Sequence, residues 1–404
     1  MIQSLKKQSG QELRRRRQTF HATNTGSYVS TSSSQVRIEI NVDKEVIDFE
    51  TGYLMFDIEA AKPGSTDMIK SQPFDASSWI ENLRVYDRAG REIGEQVRHY
   101  NAFARKHFEL LGNSNAQTAG NYLDVLEGAQ GQEGDSSSDQ TLDAQERAHK
   151  FLTHIFDIKS YFPAHLMGGL IIELDMAATN DVIYLGGVTD TITSYTISNV
   201  RYCTDLVLLK PEAEAQLRGQ LQNGLEIHYD SPMNHKQAVT TSTSQRFDLG
   251  VASGKVKNIQ TFMVLDADTN TIDEESFPSF KQNGLTSYRF KQGSEWLTEK
   301  DVQVTTARNA ECLVELLKSM NLETSDIVNF YGDSGLNLAN RFVLGQKCEV
   351  SKDPSVSSGR RDYQSNKIEL EMNFTGAAAA TLYTNIMLEK KLVMLPGRQF
   401  KNVD

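Results

Sequence analysis

At 404 residues the chain has room for two domains of about 200 residues, each able to bury a core of its own. Hydrophobic residues at 39% and charged residues at 24% exclude wholesale disorder, and a net charge of -11 excludes a surface that grips nucleic acid all over. Cys203, Cys312 and Cys348 are widely spaced with no CxxC pair, which excludes a disulfide scaffold and a cysteine zinc site; they read as reduced, buried thiols.

Residues 1–34 read as a basic arm outside any core. Lys6, Lys7 and Arg14 to Arg17 set six positive charges against one negative, Glu12, and a polar run follows from Ser27 to Ser34. Such an arm is either a solvated tail or a tail that touches phosphate or lipid headgroups through charge alone. No signal-peptide core is expected there, and no apolar run approaches the ~18 residues of a membrane span. The sequon Asn373-Phe374-Thr375 is therefore expected to be a chance match.

Ordered structure is expected from Gln35, where QVRIEINV alternates strictly and so predicts one buried and one wet face. Tyr53–Ile58 and Trp79–Tyr86 read as further strands, and Asp87-Arg88-Ala89-Gly90 as a turn. A helix is expected over Glu95–Leu111, with Val97, Tyr100, Ala104, Phe108 and Leu111 on one stripe. Glu127–Glu146 carries six acids and no Lys or Arg, and reads as a long exposed loop. Strands are expected again at His154–Ile158, Gly169–Met176 and Tyr195–Leu209.

Pro211 then suits a helix start, with Glu212 and Glu214 at its positive end and Gly224 as its stop. The second half repeats the plan. Strands are expected at Leu225–Tyr229, Gly254–Leu265, Leu285–Phe290, Lys367–Phe374 and Thr381–Leu395. A helix over Ala307–Met320 places Ala310, Leu313, Val314 and Leu317 on one face. With one helix per half and no strand-helix alternation, the pattern points to sandwiches or jelly rolls in tandem, not to a parallel sheet.

No chemical constellation stands out. Gly332-Asp333-Ser334-Gly335 matches the run around a serine-protease nucleophile, yet no histidine lies in a matching context and Asp-Ser-Gly is ordinary turn chemistry. His99 and His107 lack a third ligand at standard spacing. Gly128, Gly131 and Gly134 sit in acidic sequence that repels phosphate. Glu274-Glu275 reads as solvated surface, and Arg360-Arg361 as a loop or subunit contact.

The order of features resembles the double jelly-roll major capsid proteins of icosahedral DNA viruses, particularly the compact forms of polinton-like viruses and virophages in the adenovirus lineage. The stretches that carry the resemblance are Ser27–Ala60, Ser77–Leu111 with its strand-turn-helix and Tyr100-Asn101, MGGLIIEL from Met167, and Tyr195–Leu209 before the linker helix. Tyr288–Ser294 and the helix with Glu311 and Leu316 match more loosely.

The resemblance implies an all-β fold of two tandem eight-stranded jelly-roll barrels, each with a short helix, plus the basic N-terminal arm. It places the first barrel at 35–209, the linker helix at 210–224 and the second barrel at 225–404. It further implies a structural protein of the virion, assembled in the host cytoplasm or nucleus, with no enzymatic role and no cofactor. Three chains would form a pseudo-hexameric capsomer that meets neighbouring trimers, penton and minor capsid proteins. Lys6, Lys7, Arg14, Arg15, Arg16 and Arg17 would face inward toward genome or membrane, and the acidic loop outward. The alternative is a β-sandwich module that binds a receptor or carbohydrate; it predicts exposed aromatic platforms, whereas Trp79 sits in an alternating strand where burial is expected.

Overall fold

Alternation along Gln35–Ile40 becomes burial in the computed structural model: Val36, Ile38 and Ile40 are buried, while Gln35, Arg37 and Glu39 stay at least partly exposed. The structure describes residues 12–24, 26–32, 34–61, 69–71, 75–94, 96–111, 141–185, 194–250, 255–268, 280–305, 307–321, 331–332, 335–336, 342–349, 361–362, 367–397 and 399–403.

In the first half, one sheet runs Glu12–His21, Thr196–Leu209, Val46–Ala61, Thr141–His149, with Ser27–Val29 also on the central strand. The other runs Gln35–Ile40, Leu170–Met176, Ile80–Asp87, Val97–Arg98. Counting the eight main strands along the chain and leaving out the short Ser27–Val29, the first sheet is ordered first, eighth, third, sixth and the second is ordered second, seventh, fourth, fifth.

The second half gives the same two series. One sheet runs Leu225–Val239, Ala380–Leu395, Lys255–Leu265, Val343–Lys347, with Arg361–Asp362 and Gln399–Val403 beside this path, and the other runs Ser244–Asp248, Ile368–Phe374, Leu285–Gln292, Glu295–Trp296, with Val302–Gln303 beside it. The pairings defined residue by residue are all antiparallel. Each half is thus a two-sheet sandwich whose first and eighth main strands are neighbours, the wrapping of a jelly roll.

Each sandwich closes on its own core. In the first, Phe56 meets Trp79 edge-on at 5.2 Å, and Phe49, Phe156, Phe151 and Tyr202 form a contiguous ring cluster. Trp79 is fully buried, as expected, although it lies in the turn just ahead of the Ile80–Asp87 strand and not within it. In the second, Phe247, Phe290, Leu370 and Met372 of one sheet share a cluster with Val256, Ile259, Leu382 and Ile386 of the other. The three cysteines are buried and unbridged. By contacts the chain divides into two compact units, one of them reaching to Ser231 and resuming at Lys390, the other holding Pro232–Glu389 and the helix end from Arg105.

The helix expected after the central strand spans Pro211–Gln222, with proline in its first turn and Glu212 and Glu214 beside it. Gly224 follows at φ 87, a left-handed stop that a residue with a Cβ resists. The Tyr100–Leu111 and Ala310–Ser319 helices each fall between the fifth and the sixth of the eight main strands of their half.

Several expectations are corrected. The stretch read as an arm outside the core is, from Glu12, the edge strand of the first sheet. The first helix starts at Tyr100, not Glu95, because Val97–Arg98 pairs with Leu83 and Asn82 and His99 turns the chain at φ 50. The expected strand at His154 is a short 3-10 turn over His154–Asp157. The acidic stretch read as loop through Glu146 ends in a strand, Thr141–His149, paired with Val46–Ala61; its residues 127–140 lie outside the described residues.

Candidate functional site

The basic run that the sequence offers as a contact site, Arg14 to Arg17, lies on the edge strand Glu12–His21. Arg15 is opposite Val207 and Arg17 opposite Asp205 of the central strand. The two-residue period of a strand sends Arg14 and Arg16 to one face and Arg15 and Arg17 to the other. Each face finds acids waiting.

On the first face Arg16 grips Glu45 with two prongs, Nε to Oε1 at 2.7 Å and Nη2 to Oε2 at 3.0 Å, and Arg14 reaches the same carboxylate at 3.5 Å. On the second face Arg15 lies 3.1 Å from Asp48, 3.4 Å from Asp205 and 3.1 Å from Glu12, and donates to the Tyr161 hydroxyl at 3.2 Å. Tyr161 in turn donates to Glu12. Arg17 reaches Asp205 at 3.4 Å and the Tyr53 hydroxyl at 3.1 Å, its guanidinium 5.5 Å from that ring's centre.

Burial explains the arrangement. Asp48 is 1% exposed, and a carboxylate taken out of water needs a counter-charge. Arg15 supplies it. The hydrogen bond from Arg16 holds the Glu45 carboxyl below the usual carboxylate range, while burial, reinforced by Glu12, pushes the Tyr161 phenol up to about 12. The same partners raise the guanidinium pKa of Arg15, the Glu12 hydrogen bond most of all. The four arginines are therefore built into the sheet through Glu12, Glu45, Asp48 and Asp205. Arg14 at 64% and Arg17 at 58% keep the most exposed side chains; Lys6 and Lys7 lie outside the described residues.

Beyond Glu12, sequence reasoning missed these acids because nothing local announces them: Asp48 and Asp205 are 33 and 190 residues from Arg15 and meet it only through sheet register. The local signal that remained was Phe20, buried among polar neighbours.

The other candidates find structural roles or fall outside view. His99, just ahead of the Tyr100–Leu111 helix, pairs with Glu81 at 2.6 Å, and His107, held down to about 4 by burial and by Lys106, sits on that helix. Lys106, which burial lowers to about 7, donates to Gln260. Trp296 stacks against the Arg289 guanidinium at 4.1 Å. Asn373 of the sequon is in a strand and donates to Ser287 at 3.1 Å. Arg361 belongs to a two-residue strand against Val256. Asp333, Ser334, Glu274, Glu275, Arg360 and the glycines at 128, 131 and 134 lie outside the described residues. Among the described residues no group of three His, Cys, Asp or Glu side chains is placed to hold a metal ion, and no helix is long and apolar enough to cross a membrane.

No protein-family model matches the sequence, and no curated protein matches it. Solved structures do match along nearly its whole length. PBCV-1 VP54, as fitted into a cryo-EM reconstruction of the virophage Sputnik, is 10% identical with a TM-score of 0.63 over 97% of both chains. The Faustovirus major capsid protein is 8% identical with a TM-score of 0.63, over 98% of this chain and 92% of that one. The mavirus major capsid protein is 9% identical with a TM-score of 0.51, over 96% and 90%. At such identities the likeness is one of fold, and with the twice-repeated strand order it shows what the chain is built as: a double jelly roll, the architecture of these capsid proteins.

Proposed function

We propose that this protein is the major capsid protein of an icosahedral DNA virus, a structural subunit of the virion shell. The observation that carries the reading is the strand order found twice in one chain, in a fold that matches viral major capsid proteins from end to end. Two jelly rolls per chain give three chains six similar modules. A trimer can then fill a six-sided place in a shell while keeping threefold symmetry. Sandwich closure leaves few free strand edges, so contacts between copies run through faces and loops instead of open-ended strand addition.

The finer assignments belong to the same proposal. The modules take the chain on either side of the 210–224 linker helix, and the partners are further trimers together with penton and minor capsid proteins. The N-terminal end, with Lys6, Lys7 and the exposed side of Arg14 to Arg17, faces the interior and meets genome or membrane phosphates with the charge its acids leave over.

Size-exclusion chromatography with light scattering tests the reading. The purified 45.3 kDa chain is expected to run as a trimer. A strictly monomeric protein that binds glycans or a receptor would favour the β-sandwich binding module instead.

A further inference from the structure

The edge strand Glu12–His21 has a feature that capsid architecture does not require: its arginines hold it through carboxylates on other segments. Glu45 lies ahead of the Val46–Ala61 strand, Asp48 within it and Asp205 on the central strand, while Tyr161 comes from the connection after the 3-10 turn. Few apolar contacts add to this. Within Glu12–His21 only Phe20 is buried, and Leu13 is 61% exposed.

We propose that Glu12–His21 is an ion-paired clasp on the first jelly roll, which opens as a unit when its carboxylates lose their charge. Backbone pairing with Thr196–Leu209 supplies the register, and the arginine-carboxylate contacts supply the part of the hold that depends on conditions. The groups facing one another are Arg15 with Glu12, Asp48, Asp205 and Tyr161; Arg17 with Asp205, Tyr53 and Cys203; Arg14 and Arg16 with Glu45; and His165, which approaches the Glu45 backbone. Tyr53 and Tyr161 stay protonated across the acid range, so they do not drive the opening.

The direction follows from Glu45, whose folded carboxyl titrates below its ordinary value. Its contribution is present above the unfolded carboxylate pKa and is lost as pH falls through the depressed folded one. Opening uncovers the hydrogen-bonding edge of the central strand from Arg201 to Leu209.

The experiment is hydrogen exchange on the full chain, read as protection factors so that the intrinsic pH dependence of exchange is removed. Between neutral pH and about pH 3, amides of Glu12–His21 are expected to lose protection about 10- to 100-fold, the scale of a few charge-assisted hydrogen bonds, while Ile80–Asp87 and Leu170–Met176 keep theirs. Glu45→Gln, which leaves the buried Asp48–Arg15 pair intact, should lower the strand's protection at neutral pH by about threefold or more. Asp48→Asn should lower it further; if that variant fails to fold, the Glu45→Gln result still decides. Protection that does not change with pH, or that falls in step with the core strands, overturns the proposal. The outcome does not depend on whether the protein forms a shell, so its failure and the failure of the capsid reading are separable.

Discussion

Gly345 shows at the residue scale why a strand could hide from sequence reading. In VLGQK the glycine interrupts the apolar pattern, yet Val343–Lys347 is a buried strand beside Lys255–Leu265. A Cβ there would lie 2.5 Å from the Leu316 Cα and 2.5 Å from the Ser319 Oγ of the helix packed over it. Gly345→Ala is therefore expected to destabilise the second module by about 1–3 kcal/mol, the usual cost of overpacking, seen as a lower denaturant midpoint at unchanged slope. The cysteines make a second residue-scale test. All three are buried, and burial pushes the Cys312 thiol up to about 12. Native protein should resist an aromatic disulfide reagent, and unfolded protein should react at all three thiols. The burial of Trp79 and of these thiols was legible from composition and alternation. The partners of Arg15 were not, since charge read along the chain gives no register.

At the scale of elements, the long alternating strands and the Pro211–Gln222 helix were legible and the short or polar ones were not. Ile368–Phe374 buries every second residue, so its sequence is its structure. Ser244–Asp248 offers a single buried side chain, Phe247, and Glu12–His21 offers only Phe20, so neither pattern rises above a loop. The correction of the arm changes what truncation should do. Removing residues 1–11 takes away Lys6 and Lys7 but spares the edge strand; thermal unfolding of the first module should stay within a few degrees of wild type. Removing residues 1–21 deletes the strand and leaves Asp48 buried without Arg15, and the melting temperature should fall markedly. A shorter truncation that destabilises as much as the longer one would move the structural boundary ahead of Glu12.

For the whole molecule, the tandem plan was visible as two halves with a helix in matching places, although the residues themselves do not repeat. What sequence could not supply was the strand order, because neighbours in a jelly roll are far apart in the chain: Glu12–His21 pairs with Thr196–Leu209, and Val46–Ala61 with Thr141–His149. That order, found in both halves, turns a list of strands into a candidate shell subunit. The measurement that bears on it most directly is electron microscopy of the purified protein. Three-chain particles with a six-lobed outline, one lobe for each module, are the predicted result. A field of single two-lobed chains, under conditions where the protein is folded and concentrated, would contradict it.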